Sequence, residues 1–371
     1  MQEKKVYLST VVKTAGAFIA FLIGSGFATG QEILQYFAAY GLKGLLTAGM
    51  MALLFIYVSA SFSSAGYEQQ FEKNSDIFKY YCGKYVGTAY DYFTIAFIFM
   101  SYVVMIGGSG ATLNQHFGVP YVAGSLIMVV LSAATVAMGL GKIVDIIGCI
   151  GPVIVVLAVS LGVAAVLRDP SKIAVGSQLV LSGKVTLLKA GTNWFTSASS
   201  YVGFCMLWLI CFLGAIGKSS HSRKEAIIGT SLGTVGFTAG CLAMMLGLLS
   251  HIDLVANTQI PALILAGTFN RTLATVFSAI IFLGIYTTAV PLLWQVVSRF
   301  AAEKTKKFWL LTVILAAVGC FVGLALPFNR LVNIIYGING YVGILLLLFI
   351  VVKDVKTYVL SPKAEAAAER N

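Results

Sequence analysis

The residues best suited to chemistry in this chain lie in one stretch, Ile23-Gly24-Ser25-Gly26-Phe27-Ala28-Thr29-Gly30-Gln31-Glu32. Glycines, hydroxyls, an amide and a carboxyl interrupt a long apolar run there. Glycine lets backbone leave the helical conformation, and unwound backbone inside a membrane must be met by protein, water or a bound ion. An opened turn offers N–H groups from one half-helix, which suit an anion, and carbonyls from the other, which suit a cation. Gly26 and Gly30, four apart, also fit a close-packed helix contact. Glu32 tips the reading toward function, because an ionisable group this deep is expensive and normally faces an interior pathway. Backbone donors favour its charged form and burial its neutral one, so a helix cap and a proton carrier both fit. No nucleophile–base set, zinc-protease motif or facing aspartate pair is present, so the chain is not expected to be an enzyme. His116, His221 and His251 fall in expected loops and make no metal-ligand cluster.

Positioning these residues requires a membrane frame. The chain has 371 residues, 58% of them hydrophobic and only 11% charged, the latter about half of what a soluble protein carries. Spanning a bilayer as a helix takes roughly 20 mostly apolar residues. Ten stretches qualify: 8–39, 41–67, 86–112, 120–138, 143–167, 188–217, 225–250, 270–298, 307–325 and 329–352. The net charge of +11 does not point to nucleic acid. Alternating ten spans from an inside N-terminus puts 18 of the 25 Lys and Arg on the cytoplasmic side and 7 outside. That asymmetry predicts a multi-pass membrane protein with both termini in the cytoplasm. The first span is read as uncleaved rather than as a secretory signal. The six cysteines fall in spans or on the cytoplasmic side, where no structural disulfide is expected. Residues 1–355 form one expected transmembrane domain, with 356–371 as a cytoplasmic tail.

The connections carry structure of their own. Tyr67–Lys84 has Phe71, Ile77, Phe78 and Tyr81 near helical spacing, which predicts a helix along the cytoplasmic face. His251–Asn270, with Pro261 inside an apolar stretch, predicts a partly re-entrant outer lid. Ten spans divide into five and five, about 8–167 and 188–352. Because five is odd, the second set runs inverted to the first, the arrangement of many secondary transporters.

Gly-Ser-Gly-Phe-Ala-Thr-Gly-Gln-Glu in the first span resembles the YkvI-like bacterial membrane proteins. These are allied to the amino acid–polyamine–organocation transporters with the leucine-transporter fold. The resemblance implies an all-α fold of ten helices in two inverted five-helix repeats, with helices 1 and 6 broken. It also implies a small substrate between spans 1, 3, 6 and 8. The substrate residues it points to are Ser25, Gly26, Phe27, Ala28, Thr29, Gly30, Gln31 and Glu32. Tyr102 in span 3 is a further candidate, as are Tyr201, Gly203 and Phe204 at the expected span 6 break. In sodium-coupled members, two adjacent span 8 hydroxyls join carbonyls of spans 1 and 8. Carried over, these are Thr287 and Thr288 with the carbonyls of Gly24, Phe27 and Gly284, all hard oxygen donors. Threonines inside membrane helices also commonly bond their own i−4 carbonyl. Span 5 holds no lysine to replace the ion, its centre reading Cys149-Ile150-Gly151-Pro152; this favours sodium and leaves a proton on Glu32 open. No organic cofactor is expected.

Other polar residues have simpler readings. Lys142 and Asp145 suit a surface ion pair, and Asp91 an interfacial position. Asn333, Tyr336 and Asn339 suit either a pathway or contacts between helices. Function then divides between a sodium-coupled transporter of a small polar solute and a ligand-sensing receptor subunit on the same scaffold. An amino acid carboxylate would be opposed by an ionised Glu32, whereas an amine, or a zwitterion's ammonium, would meet it. The absence of a large soluble signalling domain from the sequence favours transport.

Overall fold

A computed structural model describes residues 6–360, without the side chains of Ser25, 140–152, 359 and 360. The described residues fold as an all-helical bundle. The first apolar stretch is not one helix but three: α1 (Leu8–Leu22), α2 (Ser25–Thr29) and α3 (Gln31–Tyr36). At about 1.5 Å per residue, α1 is too short to cross a bilayer alone. A 3₁₀ turn, Ala38–Lys43, leads into α4 (Gly44–Gln69). Then follow α5 (Asp76–Phe117), α6 (Tyr121–Met138), α7 (Leu140–Arg168) and α8 (Pro170–Leu181). The second half holds α9 (Trp194–Ser219), α10 (Arg223–Leu249), α11 (Ile252–Val255), α12 (Pro261–Gly267), α13 (Arg271–Phe300), α14 (Lys306–Gly323) and α15 (Phe328–Asp354).

Eight of the described helices are long and apolar enough to cross a membrane. A ninth is reached if the pair Val153–Arg168 and Pro170–Leu181, bent by 98°, counts as one span. The chain is therefore a multi-pass integral membrane protein. Fewer whole helices stand here than the ten expected stretches because the first is in pieces and the fifth enters only through this bent pair.

Both ends of the described chain lie on one face of the bundle. The Tyr7 backbone N–H donates to Glu225 Oε2 at 2.8 Å, and the Tyr358 hydroxyl to Glu68 Oε2 at 2.8 Å. Arg223 joins them, 3.2 Å from Glu68 Oε1 and over the Tyr358 ring. On this terminal face α5 begins with a short amphipathic turn that ends at Gly83, where φ is +75°. That turn falls in the stretch for which the sequence predicts a helix along the cytoplasmic face, and Gly83 kinks it away from the span that follows.

Helix pairings recur in couples. α1 packs on α10 as α9 packs on α4; α6 packs on α13 as α14 packs on α5; and α4 meets α10, α5 meets α13, and α6 meets α14. Small residues make the closest seams, where Gly66 faces the Gly214 backbone and Gly217 the Ser63 backbone between α4 and α9. In a bilayer this close approach replaces the hydrophobic drive as the source of helix association.

The opposite face is closed by the α11–α12 hairpin, the lid expected from the sequence. Ile260, Ala262, Leu263, Leu265 and Ala266 are buried. Gln115 on α5 clamps it: Oε1 accepts from the N–H groups of Gln259 (3.0 Å) and Ile260 (3.1 Å), and Nε2 donates to Ile260 O (2.9 Å). Gln259 Oε1 in turn accepts from Phe328 N at the start of α15, 2.8 Å away. Gln115→Ala removes the acceptor for two backbone N–H groups, a loss of about 1–2 kcal/mol at a partly wet site. Hydrogen exchange at 256–262 is expected to accelerate roughly tenfold in this variant while α5 itself stays protected. Unchanged lid exchange would show that apolar packing alone holds the hairpin.

Candidate functional site

The break in the first span is double. Ile23 leaves the helical conformation, Gly24 is extended, and Gly30 takes a left-handed φ of +78°. Between them α2 keeps helical turns across Phe27: Ala28 N donates to Gly24 O (3.0 Å) and Gly30 N to Phe27 O (2.9 Å). Gly30 is where a side chain would be strained twice, by its φ and by Ala262 N, 3.0 Å from an added Cβ. The lid thus rests against the second break.

Gly26 serves a different purpose. A Cβ there would overlap the Glu32 carboxylate, so Glu32 folds back onto the bare Gly26 backbone. Thr29 Oγ1 donates to Gly26 O at 2.7 Å and fixes the turn. Glu32 is 6% exposed. Among the described residues its hydrogen-bond donor is the Tyr201 hydroxyl, 3.4 Å from Oε2, a long and therefore weak bond.

Glu32 lines the deep end of a cavity of about 650 Å³. Ala20–Gly24 and Gly26 form one wall, and Ser101 and Met105 of α5 another. Tyr201, Phe204, Cys205 and Trp208 come from α9, Gly284, Thr287 and Thr288 from α13, and Tyr336 from α15. The cavity runs to the terminal face, where Asn74, Asp91 and Arg299 stand at its rim. Arg299 Nη2 donates to Asp91 Oδ2 at 2.6 Å, so the rim cation is already paired. No residue of the lid reaches the cavity lining.

The aromatic walls brace one another. Phe204 and Tyr336 stack with centroids 4.7 Å apart, and Trp208 stacks on Phe97 at 5.0 Å. Tyr201 stands edge-on to Tyr36 at 5.1 Å. Rings held this way present fixed faces and edges to a ligand.

The structure brings Gly24, Gly26, Glu32, Tyr201, Phe204, Gly284, Thr287 and Thr288 together around this cavity. Ser25 is in the same turn, its side chain outside the described residues. Phe27, Ala28, Thr29, Gly30 and Gln31 are buried away from the lining; Phe27 packs on Phe237.

Three expectations need correction. Helix α9 is continuous through Tyr201–Cys205, so the expected break in span 6 is absent. The one glycine of that stretch, Gly203, is used for close packing against the Gly340 and Gly343 backbones of α15. Asn193 starts the helix instead, accepting from Phe195 N (3.0 Å) and Thr196 N (2.9 Å). Gly203 therefore lies behind the cavity wall. Tyr102 also points elsewhere: it is fully buried, with its hydroxyl 2.9 Å from Ser132 Oγ on α6. The neighbouring Ser101 takes the cavity position because it lies on the other side of α5.

The sodium donors are only partly assembled. Thr287 and Thr288 hydroxyls both donate to Gly284 O, at 3.0 and 2.9 Å. The Gly24 and Phe27 carbonyls already accept from Ala28 and Gly30, and Phe27 lies off the cavity. Gly24 alone adjoins the pair, an added Cβ standing 3.9 Å from Thr288 Oγ1. Among the described residues no group of three or more His, Cys, Asp or Glu is placed to hold a metal.

Of the remaining polar candidates, Asp91 is at the rim. Asn333 Nδ2 donates to Gln35 Oε1 (2.8 Å), Asn339 Nδ2 to its own Ile335 O (2.6 Å), and Tyr336 lines the cavity. The Lys142–Asp145 pair lies outside the described side chains. Sequence reasoning missed Trp208 and Met105 as cavity residues, and gave Phe78, which also lines the cavity, only to the helix on the cytoplasmic face. Trp208 had a signal: Tyr201, Phe204 and Trp208 follow i, i+3, i+7, one face of a helix.

Fold and cavity thus define a multi-pass membrane protein with a broken first span and a carboxylate-tipped cavity open toward one face. No family model matches the chain. It is 24% identical over 344 residues to the uncharacterized membrane protein YkvI of Bacillus subtilis (strain 168), covering 89% of this chain and 92% of that one. It is 24% identical over 334 residues to the uncharacterized protein YyaD of the same organism, covering 88% and 91%. These are distant homologues, and the resemblance seen in the first span extends over most of the chain. Among solved structures, two mutant forms of the manganese transporter of Eremococcus coleocola align with a TM-score of 0.57 over 95% of this chain and 80% of theirs. Identity there is 11%, so the likeness is one of fold.

Proposed function

We propose that the chain is a secondary transporter for a small organic solute. Its ten spans would form two inverted five-helix repeats of the leucine-transporter kind, allied to the amino acid–polyamine–organocation transporters. The observation that carries this reading is the buried Glu32 carboxyl at a doubly broken first span, at the closed end of a cavity open to one face. Closed lid and open cavity are the two halves of an alternating-access state. The coupled helix pairings support the inverted repeat, because exchanging α1, α4, α5 and α6 with α9, α10, α13 and α14 maps the α1–α10 contact onto α9–α4 and the α6–α13 contact onto α14–α5. Counting α1–α3 as one span and α7 as another restores ten. With the basic residues on the terminal face cytoplasmic, this state faces inward.

The test is solute counterflow in proteoliposomes, with amines and amino acids as candidates. Exchange of labelled for unlabelled solute supports transport; saturable binding without exchange would assign the scaffold to sensing instead.

Sodium coupling is the finer reading carried by the resemblance. A hydroxyl that donates to Gly284 O keeps its lone pairs, and Gly24 adjoins Thr288, which supports an ion seat there. Thr288→Val preserves shape and removes one oxygen. If sodium is the coupling ion, it raises the melting temperature of the parent protein by several degrees and that of the variant by much less. A parent protein insensitive to sodium removes the seat.

A further inference from the structure

We infer that Glu32 is a shared seat for which a proton and an organic cation compete, making this protein a proton–cation exchanger. The inference rests on the transporter reading above and names its substrate class and coupling.

Consider what surrounds the carboxyl. The titratable groups facing it are Tyr201 and Cys205 of α9, Cys241 of α10, Tyr36 of α3 itself and Tyr336 of α15. All are neutral acids that carry no positive charge in any state. From α13 come Thr287 and Thr288, and from α5 Ser101 and Met105, none of which titrates. Among the described residues the cavity's cation is Arg299, which is paired with Asp91 at the rim, the opposite end from Glu32. Gly26 supplies bare backbone, and the Tyr201 hydroxyl a single long hydrogen bond.

A carboxylate so placed is uncompensated, and burying an unpaired charge is strongly unfavourable. Two things relieve it. One is a proton on the carboxyl. The other is a cation delivered through the cavity. Both together would leave a net positive charge in the same desolvated place, and neither would leave a net negative one. Both extremes are disfavoured, so the occupied states are proton without cation or cation without proton. The exchange balances: the protonated acid and a cation give the carboxylate–cation pair and a free proton.

The walls say what kind of cation. Tyr201, Phe204, Trp208 and Tyr336 surround the space with rings, whose faces attract ammonium groups. Among the described residues no group of three or more His, Cys, Asp or Glu gathers at the carboxyl, whereas ring faces and one carboxylate are what an ammonium group needs. About 650 Å³ leaves room for such a group with its apolar substituent. Because each crossing needs one occupant on Glu32, an inward proton gradient drives the cation outward.

The probes are n-butylammonium and tetramethylammonium chlorides, with leucine and sodium chloride as comparisons, on the purified full chain. Binding of either ammonium in weak buffer is expected to release close to one proton per ligand, read with a pH indicator. Its apparent affinity should weaken by up to about tenfold per pH unit on acidification, the slope of one competing proton. Glu32→Gln should abolish both the release and the pH slope. No ammonium binding at alkaline pH, or binding without proton release and with one affinity across pH, overturns the proposal. These parent-protein measurements decide it even if Glu32→Gln fails to fold. Proteoliposomes separate the two readings. Ammonium binding with proton release but no flux under a pH gradient would sink transport and leave the shared seat. Flux driven by sodium and indifferent to a pH gradient would sink the exchange and leave transport.

Discussion

Gly26→Ala is expected to leave the bundle folded and weaken ligand binding by about ten- to a hundredfold, the worth of one well-placed charge contact. The added methyl would occupy the space of the Glu32 carboxylate. What it meets is the far end of a flexible side chain rather than backbone, so the carboxylate moves and the helices stay. Glu32 then leaves the position it shares with Tyr201, and a ligand entering the cavity finds its counter-charge displaced. A double-mutant cycle isolates the cause. In a Glu32→Ala background the three atoms nearest the methyl are gone, and Gly26→Ala should change stability by only a few tenths of a kcal/mol. Ligand titration of the single variant and thermal melts of all four proteins give the cycle. Equal losses in both backgrounds would mean that Gly26 matters to α2 itself.

What could be read beforehand follows from how each feature is encoded. The apolar stretches were legible because a bilayer demands length and hydrophobicity together, a signal that neighbouring helices cannot disguise. The interruption in the first span was legible because glycines, hydroxyls and Glu32 crowd an otherwise apolar run. Its detail was not. The sequence does not distinguish Gly24 and Gly30, which bend the chain, from Gly26, which receives a side chain. Gly203 misled for the same reason. Glycine in a membrane helix permits both a break and a backbone contact, and only the partner, Gly340 and Gly343 on a helix 137 and 140 residues later, decides between them. Tyr102 and Ser101 show a finer limit: adjacent residues on α5 face different neighbours, and rotation of the helix is set by packing. The lid was foreseen from Pro261 and the length of its loop. Its clamp at Gln115 was not, because a side chain reaching backbone 144 residues away leaves no local pattern.

The cavity wall depends on the seam behind it, which sets up the largest stability effect expected in this chain. Gly343→Ala should destabilise the protein by about 1–3 kcal/mol, the usual range for overpacking. A Cβ at this position would overlap the Gly203 carbonyl and Cα. Unlike Glu32, that obstacle is backbone in the middle of α9 and has no rotamer to retreat into. Relief requires α15 and α9 to move apart, which also opens Gly203 against Gly340 and pulls at the Phe204–Tyr336 stack facing the cavity. Stability and ligand affinity should therefore fall together. The same helix carries its own control. A Cβ at Gly337 meets nothing within 4 Å, so Gly337→Ala tests the glycine-to-alanine change without the collision. Alanine favours a helix interior by roughly 0.5–1 kcal/mol, and Gly337→Ala should be neutral or stabilising. Thermal melts of the two variants in one detergent, beside the parent, are expected to diverge in sign. If both shift alike, the effect belongs to glycine's backbone freedom in α15, and the seam with α9 is looser than its geometry implies.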